Sequence, residues 1–276
     1  MKSEVFELLS GLLKRRSGLV LPKDKAYLLE TRLTPIGRKY GFPGLEELAR
    51  HIRSEMPEEI LTQITEIMTT NETSFFRDRR PFDQFSKVVL PGMMQARAGR
   101  VRIWNAGCSS GQEPYSLCLS IRESGEAMSG WTFDINGTDI SSEMLNKARA
   151  GLYTQFEVQR GLPIRTLIRH FRKVEEKWQI DSSLRSMVTF RQHNLLNSAE
   201  DLGQFDIVFC RNVLIYFDQA TKAQVLDGIA DRLADDGILF LGAAETVLGV
   251  SNRFVPVPGQ RGMYHLAGRT PALAGG

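Results

Sequence analysis

VRIWNAGCSSGQE, residues 101–113, is the stretch whose reading decides the fold. VRIWNAG is a short β-rich run that ends in glycine, and from Gln112 to Ile121 the composition turns helical. Gly107 and Gly111 permit a tight turn and a close backbone approach to a ligand. A strand that breaks at glycines into a helix is the opening of a nucleotide-type α/β fold, in which the ligand lies at the carboxyl ends of the strands. Ser109 stands where a G-x-G-x-x-G loop has its second glycine, so the turn alone is a weak signal.

The rest of the chain after residue 90 repeats the pattern. FDINGTDIS (133–141) is a second strand ending in an acid, and SEMLNKARAG a helix closing at Gly151. MVTFRQHNLL (187–196), FDIVFCRNVLIYF (205–217) and GILFLGAAE (237–245) read as further strands, with MYHLAG (263–268) as the last. QATKAQVLDGIADRLADDG lies between two of them as an amphipathic helix ending at Gly237. Strands alternating with helices predict an α/β, doubly wound, Rossmann-like and mostly parallel sheet.

Residues 1–70 belong to a different class. VFELLSGLL and KAYLLETRLTPIGRKY place apolar residues at three- and four-residue steps, with Leu29, Leu33, Ile36 and Tyr40 on one stripe. GLEELARHIR and EEILTQITEIM complete a small helical bundle. Pro35 is expected to kink the second helix or to start a new one after Thr34. Lys14 to Lys39 carries eight Lys/Arg against Asp24 and Glu30, whereas residues 41–70 carry Arg50 and Arg53 against six glutamates. Lys25, Arg32 and Lys39 recur at seven-residue steps beside the apolar stripe, so they line one groove.

Composition narrows the remaining classes. With 42% hydrophobic and 24% charged residues, the chain is an ordinary globular protein. No apolar run approaches the roughly 18 residues of a membrane span, and MKSEVFELLSGLLKRRSG is too charged for a secretory signal; a cytoplasmic protein is expected. Cys108, Cys118 and Cys210, with no CxxC pair, and four scattered histidines give neither a disulfide framework nor a metal site. A net charge of +3 is too small to imply nucleic acid.

Asp139 ends the second strand 32 residues after Gly107, where a carboxylate can accept both hydroxyls of a ribose. Glycine turn plus acid fits either NAD or S-adenosylmethionine. Asn194-Leu195 and Arg211-Asn212 are expected at or near the ends of adjacent sheet strands, where Asn can bond an adenine edge and Leu cover its face. No hydride-transfer acid/base pair or second domain supports a dehydrogenase, which favours the methyl donor. RNVLIYF (211–217) also lacks the Asp/Asn-Pro-Pro-aromatic pattern of enzymes that methylate exocyclic amines.

TNETSFFR (70–77), NAGCSSGQEPYS (105–116), TDI (138–140) and FCRNVLIYF (209–217) occur in that order, and the set resembles the CheR family of chemoreceptor glutamate O-methyltransferases. The resemblance covers residues 5–268. It implies an N-terminal helical domain (1–70) for receptor docking and a linker (71–90) that folds back over the cofactor. It further implies a methyltransferase domain (91–268) with a small antiparallel β insert at about 171–193; the terminal RTPALAGG (269–276) is expected as a disordered tail. DSS (181–183) is expected as the turn of a hairpin in that insert. The insert lacks the longer glycine-containing loop of relatives that bind a tethering peptide, which points to a tether-independent enzyme.

The same resemblance places Asn71, Thr73, Arg77, Glu113, Asp139, Asn194, Leu195, Arg211 and Asn212 at S-adenosylmethionine, with Gly107 from the turn, and implies no metal. Arg77 offers a planar donor fork for a carboxylate; Glu113 could equally cap the helix it opens. The implied acceptor, a glutamate, is already ionised at neutral pH, so no general base is needed. A neutral hydroxyl suits orientation of that carboxylate, which makes Tyr216 the first catalytic candidate and Arg77 the second. The implied partner is the acidic cytoplasmic domain of a chemoreceptor, docked on Lys25, Arg32 and Lys39; a monomer is the simpler expectation for the enzyme, since nothing in the sequence shows its oligomeric state. The alternatives are a signalling module that binds the methyl donor with little catalysis, and a methyltransferase for another protein or a small molecule.

Overall fold

The computed structural model describes residues 1–273. The chain divides into two compact units: Met1–Thr70 with Tyr216–Lys222, and Asn71–Ile215 with the remainder.

The first unit is built on helices α1 (Ser3–Ser17), α2 (Ala26–Lys39), α3 (Leu45–Glu55) and α4 (Glu58–Met68). Leu9, Leu12 and Leu13 of α1, Leu29 and Leu33 of α2, Leu48 and Ile52 of α3 and Ile64 of α4 share one buried cluster. α1 stops at Gly18, whose φ of 76° lets its amide reach the Lys14 carbonyl. Pro35 does not break α2, which runs through it. A helix-interior proline costs about 3 kcal/mol, but burial of Leu33 and Ile36 on either side returns about 1.5–3 kcal/mol each. Pro35 itself faces solvent, so water can serve the carbonyl it leaves unbonded.

The second unit begins with α5 (Arg80–Gln84) and α6 (Leu90–Ala96), joined by a π-helical turn over Phe85–Val89. There follow β1 (Arg100–Ala106), α7 (Gln112–Glu123), β2 (Thr132–Asp139), α8 (Ser142–Ala150), β3 (Leu152–Thr154), α9 (Gln155–Gln159) and α10 (Ile164–His170). Then come β4 (Phe171–Val174), β5 (Lys177–Ile180), α11 (Ser182–Arg185), β6 (Val188–Gln192) and β7 (Phe205–Cys210). The chain closes with α12 (Gln219–Arg232), β8 (Leu233–Leu241), β9 (Phe254–Pro256) and β10 (Met263–Leu266).

Seven strands form one sheet in the order β6-β2-β1-β7-β8-β10-β9. The first five are parallel, and β10 runs antiparallel to β8 and β9. The chain moves outward from β1 to β2 and β6, then returns to the other side of β1 as β7. The switch point is therefore between β1 and β7, where a doubly wound sheet opens a ligand crevice. Ile103, Ile135, Ile207 and Ile238 stack across neighbouring strands and are fully buried, as expected where both faces are covered.

Several expectations need correction. β6 pairs with β2, so Asn194-Leu195 and Arg211-Asn212 follow strands that are not adjacent; β2 and β1 lie between them. The run 205–217 is a strand only to Cys210. The small antiparallel sheet, in the order β3-β5-β4, starts at Leu152 and ends at Ile180, not at 171–193. Its hairpin turn is Glu175-Glu176, with Glu175 at φ 52°, whereas the DSS segment leads into α11. Residues 269–273, expected within a disordered tail, are placed: the Ala272 amide donates to the Asp236 carbonyl at 2.9 Å, and Arg269 pairs with Asp235 at 3.4 Å. The rest of that tail, 274–276, lies outside the described residues.

Candidate active site

The loop leaving β1 is tied to the end of β2. The amides of Gly107 and Cys108 both donate to the Thr138 carbonyl, at 2.8 and 2.9 Å. Gly107 has φ 81°, and a Cβ there would sit 2.5 Å from a Val213 methyl, so only glycine fits. Next, the Ser109 amide donates to Asp139 Oδ2 at 2.8 Å and the Ser141 amide to Oδ1 at 2.9 Å. Two amides thus aim the buried Asp139 carboxylate. The Ser109 hydroxyl donates to the Asn71 carbonyl at 2.9 Å, bringing the 71–77 segment to the same loop.

A second cluster lies at the end of β7. The Arg211 side chain is 0% exposed, donating to the carboxylate of Glu113, to Asp78 at 2.7 Å and to the Arg77 carbonyl at 3.0 Å. Asn105 Nδ2 donates to the other Glu113 oxygen at 2.7 Å. Glu113, in the first turn of α7, is therefore the counter-ion of Arg211. Arg211 Nε and Asn105 Oδ1 are buried with no hydrogen-bond partner, which is uncommon for buried polar atoms.

Backbone strain gathers at these loops. Phe76 (φ 48°), Asp78 (67°), Arg79 (42°), Ser109 (48°) and Asn212 (59°) are five of the seven non-glycine residues at positive φ among the described residues, a conformation that persists only where surroundings impose it. Phase by phase along 71–77, the constraint is visible. Phe75 is fully buried and meets Tyr153 of β3 and Phe171 of β4 edge-on, at 5.0 and 5.6 Å. The Phe76 amide donates to the Ser116 hydroxyl at 2.9 Å. Arg77 Nη1 donates to the Glu72 carbonyl at 2.9 Å, so part of its fork is engaged within its own segment.

Glu245, which sequence reading passed over, builds the loop after β7. Its Oε2 accepts from the amides of Asn212 (2.8 Å) and Gly242 (2.6 Å), its Oε1 from those of Val213 (2.9 Å) and Ile215 (3.3 Å). The signal was available: like Asp139, it is the acid that ends a run with strand character, GILFLGAAE (237–245). Amides captured by Glu245 cannot extend the β7 ladder, which is why that strand ends at Cys210. Asp78 and Asn105 were also passed over; nothing in their local sequence announces an Arg211 partner.

The ten expected cofactor residues all fall in the second unit. The His193 amide donates to the Asp139 carbonyl at 3.0 Å, which carries the turn after β6 toward β2; there Asn194 Oδ1 accepts from the Leu196 amide at 3.1 Å. Leu195 and Thr73 are half-buried. Tyr216 is not joined to this cluster by its contacts: it groups with the helical unit, where its carbonyl accepts from the Val20 amide at 2.9 Å. Of the expected docking cations, Arg32 is occupied, donating to the carbonyls of Ile67, Met68 and Thr69 at the end of α4. Lys39 donates to Gln63 at 3.0 Å, and Lys25 is exposed. Among the described residues, no group of three or more His, Cys, Asp or Glu could hold a metal ion, and no helix is long and apolar enough to cross a membrane.

The site therefore offers a carboxylate acceptor at the end of β2, a buried guanidinium with an unused donor, and asparagines after β6 and β7. That set fits the ribose, carboxylate and adenine groups of S-adenosylmethionine. The model for the CheR methyltransferase SAM binding domain matches residues 71–263, and that for the CheR methyltransferase all-alpha domain matches residues 4–68. Chemotaxis protein methyltransferase 1 of Pseudomonas aeruginosa is 40% identical, over 95% of this chain and 97% of its own length. Chemotaxis protein methyltransferase Cher2 of Pseudomonas putida is 38% identical, over 95% and 97%. Among solved structures, the plantazolicin methyltransferase BpumL in complex with SAH matches at 13% identity and a TM-score of 0.37, over 87% of this chain and 62% of that one. The chain belongs to the CheR methyltransferase family.

Proposed function

We propose that the chain transfers the methyl group of S-adenosylmethionine to glutamate side chains in the cytoplasmic domains of bacterial chemoreceptors, leaving glutamate methyl esters. The observation that carries this reading is the Asp139 carboxylate, aimed by two amides at the end of β2 on the same strand-end edge of the sheet as buried Arg211, in a chain of this family. When bound, S-adenosylmethionine supplies an electrophilic methyl on a sulfonium whose sulfur leaves as a neutral thioether. Asp139 accepts the ribose hydroxyls. Asn194 and Asn212 bond the adenine edge, and Leu195 covers its face. Asn71, Thr73 and Arg77 line the pocket from the 71–77 segment, while Gly107 allows the backbone to approach.

The acceptor glutamate has an ordinary pKa of about 4.3, so it arrives ionised and no base is needed to make the nucleophile. The protein's contribution is alignment and partial exclusion of water, worth roughly 7–11 kcal/mol in favourable systems. Tyr216 orients the incoming carboxylate through a neutral hydroxyl, with Arg77 as the second candidate; a strong cationic clamp would blunt the nucleophile. Exposed cations at the two ends of α2, Lys25 just before it and Lys39 as its last residue, attract the acidic receptor ahead of Arg32. The enzyme acts as a cytoplasmic monomer.

The test is direct. Protein is incubated with methyl-labelled S-adenosylmethionine and chemoreceptor-containing membranes, and base-released volatile label is collected. Esters yield methanol in alkali; label that stays bound through alkali, or no transfer at all, overturns the reading in favour of another acceptor or a donor-binding module.

A further inference from the structure

Three of the five most exposed large apolar side chains among the described residues, Phe156 (72%), Ile168 (70%) and Ile164 (65%), fall within residues 156–168. The two isoleucines lie one helical turn apart on α10, and Arg165 and Arg169 follow them at the same pitch. The opposite face of α10 is satisfied: Leu167 and His170 are buried, and the Thr166 hydroxyl donates to Glu123 at 2.8 Å. Nothing internal uses the outer face, since neither Arg165 nor Arg169 forms a hydrogen bond or ion pair among the described residues. Residues 160–177 hold six Lys/Arg against Glu175 and Glu176.

Exposed apolar side chains beside unpaired cations mark a binding surface, and this one is attached to the candidate active site. In the turn between α9 and α10, Arg160 pairs with Glu72. Gly161, at φ 94°, lies so close to the Phe75 carbonyl that no Cβ could fit. The turn thus packs on the segment that lines the pocket. We propose that the outer face of α10, with Phe156, docks an acidic amphipathic helix of the methyl-accepting protein, its apolar stripe on Ile164 and Ile168 and its carboxylates on Arg165 and Arg169. This rests on the methyltransferase reading above; charge complementarity selects the occupant.

The experiment uses the full-length chain and a soluble chemoreceptor cytoplasmic fragment, comparing wild type with R165E/R169E, R165K/R169K and I164S/I168S. Calorimetry with S-adenosylhomocysteine first shows that each variant keeps its fold and pocket. The charge reversal is expected to raise KM for the fragment about tenfold, with the lysine pair close to wild type. The serine pair is expected to raise KM at high salt as well, where charge attraction is screened. Unchanged KM in both the reversal and the serine variant overturns the proposal. So does a serine pair that only converts a dimer to a monomer in sedimentation, because the face would then belong to a second copy. If wild type methylates no fragment while binding the nucleoside, the functional reading fails first and this surface falls with it.

Discussion

The Glu245 carboxylate accepts the Asn212 amide at 2.8 Å, holding Asn212 at φ 59° just beyond the end of β7. One side chain gathers four amides there, and its replacement by glutamine is a sharp test. In Glu245→Gln, one oxygen becomes a donor facing two amide donors. Hydrogen bonds to charged groups contribute about 1.5–3 kcal/mol each, so the variant should lose about 3–5 kcal/mol of stability and bind S-adenosylhomocysteine more weakly. Denaturant unfolding and calorimetry measure the two effects.

Asp139 should be tested as both alanine and asparagine. Asp139→Ala removes the proposed ribose acceptor and the partner of the Ser109 and Ser141 amides, and nucleoside affinity should fall by at least about tenfold. Asp139→Asn keeps one acceptor oxygen and should fall between. Unchanged calorimetric affinity in the alanine variant would remove Asp139 from the ribose role.

Arg211→Lys keeps the charge and loses the fork. A lysine cannot reach Glu113, Asp78 and the Arg77 carbonyl together. Each hydrogen bond to a charged group that the lysine gives up is worth about 1.5–3 kcal/mol, so thermal unfolding should move down. A double-mutant cycle with Glu113→Gln should show strong coupling; additive losses would mean that the two side chains act separately.

Tyr216→Phe should lower kcat about tenfold or more, as for loss of an orienting donor, while nucleoside affinity stays near wild type. Parallel losses in kcat and calorimetric affinity would assign Tyr216 to cofactor binding instead.

His193 and His170 set a pH trend in stability. Burial holds both below the ordinary 6.5, despite carboxylates nearby (Asp201 for His193, Glu123 and Asp181 for His170). The unfolded chain therefore binds more protons over the window from 6.5 down to the depressed folded values. Stability should be full above about pH 7 and fall as pH drops through that window. His193 packs edge-on against Trp104 at 6.1 Å, so His193→Gln should flatten part of the trend in melting temperature; an unaltered slope would exclude its contribution.

Local chemistry determined much of this protein. Continuous apolar runs such as IVFC declare strands buried on both faces, and Gly107 declares a turn because its backbone conformation needs no partner to be legible. The stripe Leu29, Leu33 and Ile36 declares a helix face, and its burial carries α2 through Pro35. Only the tertiary structure decided which strand ends are neighbours, because β6 and β7 flank the β2–β1 pair through crossovers that no local pattern encodes. β3 is three residues long, too short to show a period, and exists because Tyr153 can bury itself against Phe75. Arg32, read as a docking cation, bonds carbonyls 35 to 37 residues away, and Arg211 finds Glu113 across 98. Propensity and periodicity act within a few residues, so they show what each segment becomes; charge pairing acts through space, and only the folded chain reveals which side chains it joins.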